Sequence, residues 1–89
     1  MPRRATSPDP VAQAFGKALR AERDRQQRSL EDVAYLVPRL DPRYLGEIEL
    51  GWHAPTIPTA LRIADALGVK LGNLVADLQP VARIETADN

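Results

Sequence analysis

No cysteine occurs among the 89 residues, which excludes disulfide staples and thiolate metal sites and fits a reducing cytosol. Aromatic side chains are scarce: Phe15, Tyr35, Tyr44 and Trp52 are the whole set, so a core has to be built from Ala, Leu, Ile and Val. That palette favours helices. No apolar run approaches the roughly 18 residues needed to span a bilayer, and no apolar segment follows the basic N-terminus. The expectation is therefore a soluble, cytoplasmic chain of one domain, since a chain this short has room for a single core. A charge excess is also missing. Twelve basic residues balance twelve acidic ones, whereas nucleic-acid binders usually carry a basic surplus that releases counterions from phosphate. Any such surplus has to be local. The stretch from Arg3 to Arg28 does hold seven bases (Arg3, Arg4, Lys17, Arg20, Arg23, Arg25, Arg28) against only Asp9, Glu22 and Asp24.

Catalytic equipment is absent too. There are no paired carboxylates, no nucleophile triad, no phosphate-cradling glycine loop and no metal-ligand spacing. His53 is the only histidine. Without cysteines or a nearby acidic cluster it makes a poor metal ligand, and without a Ser or Cys at a recognisable spacing it makes a poor catalyst. We expect no enzyme, no cofactor, no metal and no small-molecule ligand.

What the chain does contain is a series of helix punctuation marks. Residues 1–9 carry two prolines and two arginines without apolar period, and read as a flexible basic arm. Asp9-Pro10 is an N-cap followed by a first-position proline, after which Val11, Phe15, Ala18 and Leu19 share one face. Charged residues from Arg20 to Arg28 continue that helix. Ser29-Leu30-Glu31-Asp32 reads as a variant capping box opening a second helix with Val33, Ala34 and Val37 buried, ended by Pro38. Asp41-Pro42 repeats the start signal for a third helix, Pro42 to about Leu50, which buries Leu45 and Ile48 and closes at Gly51. Thr56 opens a fourth, with Ala60, Leu61, Ile63, Ala64 and Leu67 as its apolar face before Gly68. Leu71, Leu74, Val75 and Leu78 make a short fifth helix. Residues 10–79 are thus the folded domain, and 80–89 a polar C-terminal tail.

The order and spacing of several segments resemble the Cro and lambda-repressor type of helix-turn-helix domain, also called the xenobiotic-response-element family. They are Gly16-Lys17-Ala18-Leu19-Arg20-Ala21-Glu22-Arg23, then Ser29-Leu30-Glu31-Asp32-Val33-Ala34, then Tyr44-Leu45-Gly46-Glu47-Ile48-Glu49-Leu50-Gly51. Pro55-Thr56 and Leu61-Arg62-Ile63-Ala64-Asp65-Ala66-Leu67-Gly68-Val69 complete the match, which runs from Phe15 to Val75. The implied fold is all-α, a compact five-helix bundle whose second and third helices form the helix-turn-helix. The implied function is a DNA-binding transcriptional regulator of bacterial or phage origin.

The resemblance also implies roles. The residues matching Arg23 and Glu49 form a partly buried ion pair that ties the first helix to the recognition helix. The first turn of the third helix faces the major groove with Pro42, Arg43, Gly46 and Glu47. Arg43 is the best base reader, because its fork can donate two bonds to guanine O6 and N7. For Glu47 three roles are open: acceptor for cytosine N4, solvated face residue, or partner of Arg43. Gly46 either lets DNA approach or gives packing room to another helix. Arg28, Ser29, Arg39 and Arg43 surround the amides opening the second and third helices, where phosphate can bind. Leu30 stands where the family often has a glutamine, so one polar contact to the DNA backbone is missing. Arg3 and Arg4 either reach DNA as an arm or belong to a spectator tail. Trp52 packs under its loop, touches the DNA backbone or sits at a subunit contact.

The departure from the family is the turn. It is one residue longer, and Pro38 replaces the glycine that ordinarily supplies a left-handed residue, so the turn has to follow another path, with Leu40 still plugging the core. The leading expectation is a homodimer bound to double-stranded DNA at a pseudo-palindromic operator. Helix five and the residues after it, including Val81 and Ile84, are candidates for the dimer contact. The alternative is a helical protein-interaction module that kept the fold, for which zero net charge, Glu47, Leu30 and the altered turn all argue.

Overall fold

The computed structural model of the chain describes residues 9–78. Five helices follow one another in these residues: α1 (Pro10–Arg25), α2 (Leu30–Tyr35), α3 (Pro42–Glu49), α4 (Ile57–Ala66) and α5 (Leu71–Val75). Each of the first four begins where a side-chain oxygen can take an orphan amide. The Asp9 carboxylate accepts from the amides of Val11 and Ala12, both at 3.0 Å. At α2 the capping box is complete: Asp32 N–H donates to Ser29 Oγ at 3.0 Å, and Ser29 N–H donates back to the Asp32 carboxylate at 3.1 Å. Asp41 accepts from Arg43 N–H at 3.0 Å and Thr56 from Thr59 N–H at 3.3 Å. The arm carrying Arg3 and Arg4 and the tail carrying Val81 and Ile84 lie outside the described residues.

The helices surround one apolar core. Leu19 of α1, Val33 of α2, Leu45 and Ile48 of α3 and Ile63 of α4 are its fully buried members, with Phe15, Ala34, Val37, Ala60, Ala64, Leu67 and Leu74 completing it. α3 packs against both α1 and α2, which fixes it across one side of the bundle. Val69 and Leu40 are half-buried and cover the core from the connections.

Four details depart from the sequence reading. α1 stops at Arg25 instead of running on through Arg28, because Gln27 takes a left-handed φ of 57°. α2 ends at Tyr35, ahead of Pro38: the amides of Leu36 and Val37 turn to Val33 and Ala34 oxygens (3.1 and 3.0 Å), so the last turn tightens before the proline arrives. Leu61 is 51 % exposed. It sits about 100° around the helix from Ala60, and the true face is Ala60, Ile63, Ala64 and Leu67, at spacings of three and four. Val75 is likewise 37 % exposed, at the margin of the α5 face.

The lengthened turn has a definite solution. Arg39 adopts φ 64°, supplying the left-handed residue that the proline cannot, and Leu40 N–H donates to Val37 O at 3.1 Å. A non-glycine residue in that region carries a cost of about 1 kcal/mol. The side chain of Arg39 is left exposed. Among the described residues, no helix is long and apolar enough to cross a membrane.

Candidate nucleic-acid interface

The position of α3 is set from behind. Arg23 Nε donates to Glu49 Oε2 at 2.7 Å and Arg23 Nη2 to Glu49 Oε1 at 2.9 Å, a two-point contact between side chains only 11 % and 5 % exposed. The third arm of the guanidinium, Nη1, donates to Arg28 O at 2.7 Å. Planar, bidentate pairing of this kind fixes orientation as well as distance. The Glu49 carboxylate holds the Arg23 guanidinium above its ordinary range, first through these hydrogen bonds. The rear end of α3 is thereby tied to α1 and, through Arg23, to the end of the α1–α2 connection.

The forward end of α3 is open. Arg43 is exposed, Pro42, Gly46 and Glu47 are half-buried, and all four line a groove of about 380 Å³ together with Arg20, Arg23, Leu30, Glu49 and Leu50. No carboxylate occupies the first turn of α3. Of the charged groups in the groove, Arg23 and Glu49 neutralise one another. Arg43 makes no ion pair with any described residue. Arg20 was not singled out from the sequence, yet it borders the groove, held 3.6 Å from Asp24 on an exposed surface. Its signal was position: it lies one helical turn before Arg23 on the same side of α1.

Glu47 has a partner that sequence spacing did not reveal. His53 Nε2 lies 2.9 Å from Glu47 Oε1, and the His53 ring stacks on Tyr44 with centroids 5.0 Å apart. The closure of α3 makes this possible. Gly51 takes φ 86°, Trp52 N–H donates to Glu47 O at 3.0 Å, and the chain doubles back over the helix it has just left. Gly46 faces Leu30: a Cβ there would stand 3.4 Å from Leu30 Cδ1, an ordinary van der Waals contact, so the apolar Leu30 side chain lies beside it.

Two other expected interface residues sit elsewhere or are otherwise engaged. The Arg28 guanidinium donates to Ala66 O at 2.6 Å, and Gln26 donates to Leu67 O at 2.7 Å, so this connection clasps the C-terminal end of α4. Cations at a helix C-terminus are favoured by its dipole. Ser29 is exposed, with both its hydroxyl and its amide committed to the capping box. The first turn of α2 also carries Glu31 and Asp32, which leaves α3 as the helix start better suited to phosphate.

The family model described as Helix-turn-helix matches residues 17–74, a span that contains α2, the turn and α3. The clp gene regulator ClgR from C. glutamicum superposes with a TM-score of 0.71 at 26% identity, covering 76% of this chain and 87% of that one. The restriction-modification controller protein C.AhdI from Aeromonas hydrophila superposes with a TM-score of 0.68 at 32% identity, covering 71% and 94%. The competence regulator ComR from Streptococcus vestibularis gives 0.71 at 27% identity over 84% of this chain, which spans 26% of that larger protein. Curated protein sequences yield no match. Five helices, a second and third helix joined by a short turn, a third helix anchored by an arginine–glutamate pair and a family match over most of the fold converge: the chain belongs to the helix-turn-helix family, as a DNA-binding regulator domain of the Cro and lambda-repressor type and not an enzyme.

Proposed function

We propose that this regulator reads a specific, pseudo-palindromic operator as a homodimer, with the leading turn of α3 in the major groove of each half-site. The observation that carries this reading is the open forward end of α3: Arg43 is exposed there, its guanidinium in no ion pair with a described residue. A helix is the right width for the major groove, and its first residues are the ones that reach base edges. Arg43 is the base reader, Glu47 stands one turn further along the same face, and Arg20 and Arg39 supply phosphate contacts around them. A local cluster of this kind explains how a chain of zero net charge can bind DNA.

The dimer contact belongs to α4 and α5. Ile57, Leu61 and Val75 are 70 %, 51 % and 37 % exposed, and those two helices pack on each other while α3 packs on α1 and α2. Joining two copies there leaves both recognition helices uncovered. The relatives described as a clp gene regulator and a restriction-modification controller support a role in gene control.

The test is selection from random-sequence duplex DNA, followed by a salt titration on the enriched site. Two related half-sites about one helical turn apart, bound by two copies with an affinity that falls steeply with salt, are expected. No binding at low salt, or binding that enriches no sequence, overturns the proposal and leaves protein recognition as the function of the fold.

A further inference from the structure

Arg43 and Glu47 stand four residues apart on α3, the spacing at which opposite charges meet on a helix surface. Both border the same groove. Yet this pair is not formed: the Glu47 carboxylate is 2.9 Å from His53 Nε2, and Arg43 has no ionic partner among the described residues. His53 is restrained from two directions. Its ring stacks on Tyr44 at 5.0 Å, and the turn that presents it is closed by the Trp52 amide on Glu47 O. A side chain held this way stays beside Glu47 without having to find it.

We infer that His53 is a positioning residue for base reading: by holding the Glu47 carboxylate, it keeps the Arg43 guanidinium available to a guanine edge. The inference rests on the reading of α3 as the recognition helix. An arginine closed onto a carboxylate has its paired donors occupied and its charge cancelled, so a base would have to displace that partner before accepting two bonds. Glu47 is such a partner, tethered one turn away. With His53 in place the competition is already decided in favour of the base.

The experiment compares the wild-type protein with His53→Ala, Glu47→Ala, the double variant and His53→Gln. Each is assayed on the duplex the wild type selects and on the same duplex altered at the guanine whose preference disappears in Arg43→Ala. His53→Ala is expected to lose about tenfold of the preference for that guanine. The double variant is expected to match Glu47→Ala, because without the carboxylate nothing is left to capture Arg43. His53→Gln, which keeps a donor, is expected to retain the preference. An unchanged preference in His53→Ala overturns the inference while leaving the recognition reading intact. So does an equal loss with and without Glu47, which would place His53 on the DNA itself. A wild type that selects no sequence removes the recognition reading, and this inference with it.

Discussion

Gly16 of α1 and Glu49 of α3 approach so closely that a methyl group on Gly16 would lie 2.4 Å from the Glu49 carbonyl oxygen, and 2.3 Å from that of Ile48. Backbone meets backbone at this crossing. The same turn of α3 is gripped a few residues along by Arg23, so close packing and the ion pair act on one segment and together decide how α3 leaves the bundle.

Gly16→Ala is therefore expected to destabilise the protein by about 2–3 kcal/mol, the upper part of the range for overpacking, because carbonyl oxygens on a helix cannot swing aside as a side-chain tip can. Urea unfolding checks it. A loss below about 0.5 kcal/mol, the scale of an ordinary surface substitution, would mean that the two helices are not held at this distance.

Removing one partner of the Arg23–Glu49 pair leaves a charge in a site that is 11 % or less exposed. Glu49→Ala and Arg23→Ala should each cost about 3–5 kcal/mol, whereas replacing both by apolar residues of similar volume should cost far less. That difference, read by denaturant unfolding of the two single variants and the double, distinguishes a fixing contact from two solvated charges.

Acid weakens the fold through its caps. Asp32 is held below the ordinary aspartate range, first by the Ser29 amide and then by the Ser29 hydroxyl. A carboxylate with a depressed folded pKa contributes stability that is complete above its unfolded pKa and is lost as pH falls through the folded value. Glu22 behaves alike, through Arg25 and then Gln26. Stability should therefore decline below about pH 4, the ordinary carboxylate range, and Asp32→Asn should make that decline shallower in unfolding curves collected across the acid range.

Arg28 separates a stabilising role from a DNA contact. Its guanidinium reaches Ala66 O at 2.6 Å at the end of α4. Arg28→Ala should lower stability by about 1.5 kcal/mol, the net worth of a charge-assisted hydrogen bond, and leave base preference unchanged. Thermal unfolding and a repeat of the duplex selection read the two effects separately.

Much of this architecture is legible in the chain because its signals are local. Asp9-Pro10, Ser29 with Asp32, Asp41-Pro42 and Thr56 act within a few residues of themselves, and the structure finds each of them capping a helix. What is not legible depends on residues meeting across the fold. Arg28 looks like a free cation in the sequence, and only the return of α4 gives it a carbonyl to cap 38 residues away. His53 looks solitary until Gly51 folds it back onto Glu47. Leu61 looks like core because it is apolar and near Ala60, but helical geometry gives the inner face to other positions. The left-handed Arg39 answers a demand that Pro38 created, and nothing in the identity of an arginine announces it.

The most direct test of the recognition helix is methylation protection at guanine N7, an atom exposed only in the major groove. On the selected duplex, the wild-type protein should shield one guanine N7 in each half-site, and Arg43→Ala should still bind but leave that guanine open. Specific binding with every guanine N7 as reactive as in free DNA, or with the same protection in Arg43→Ala, would contradict the account.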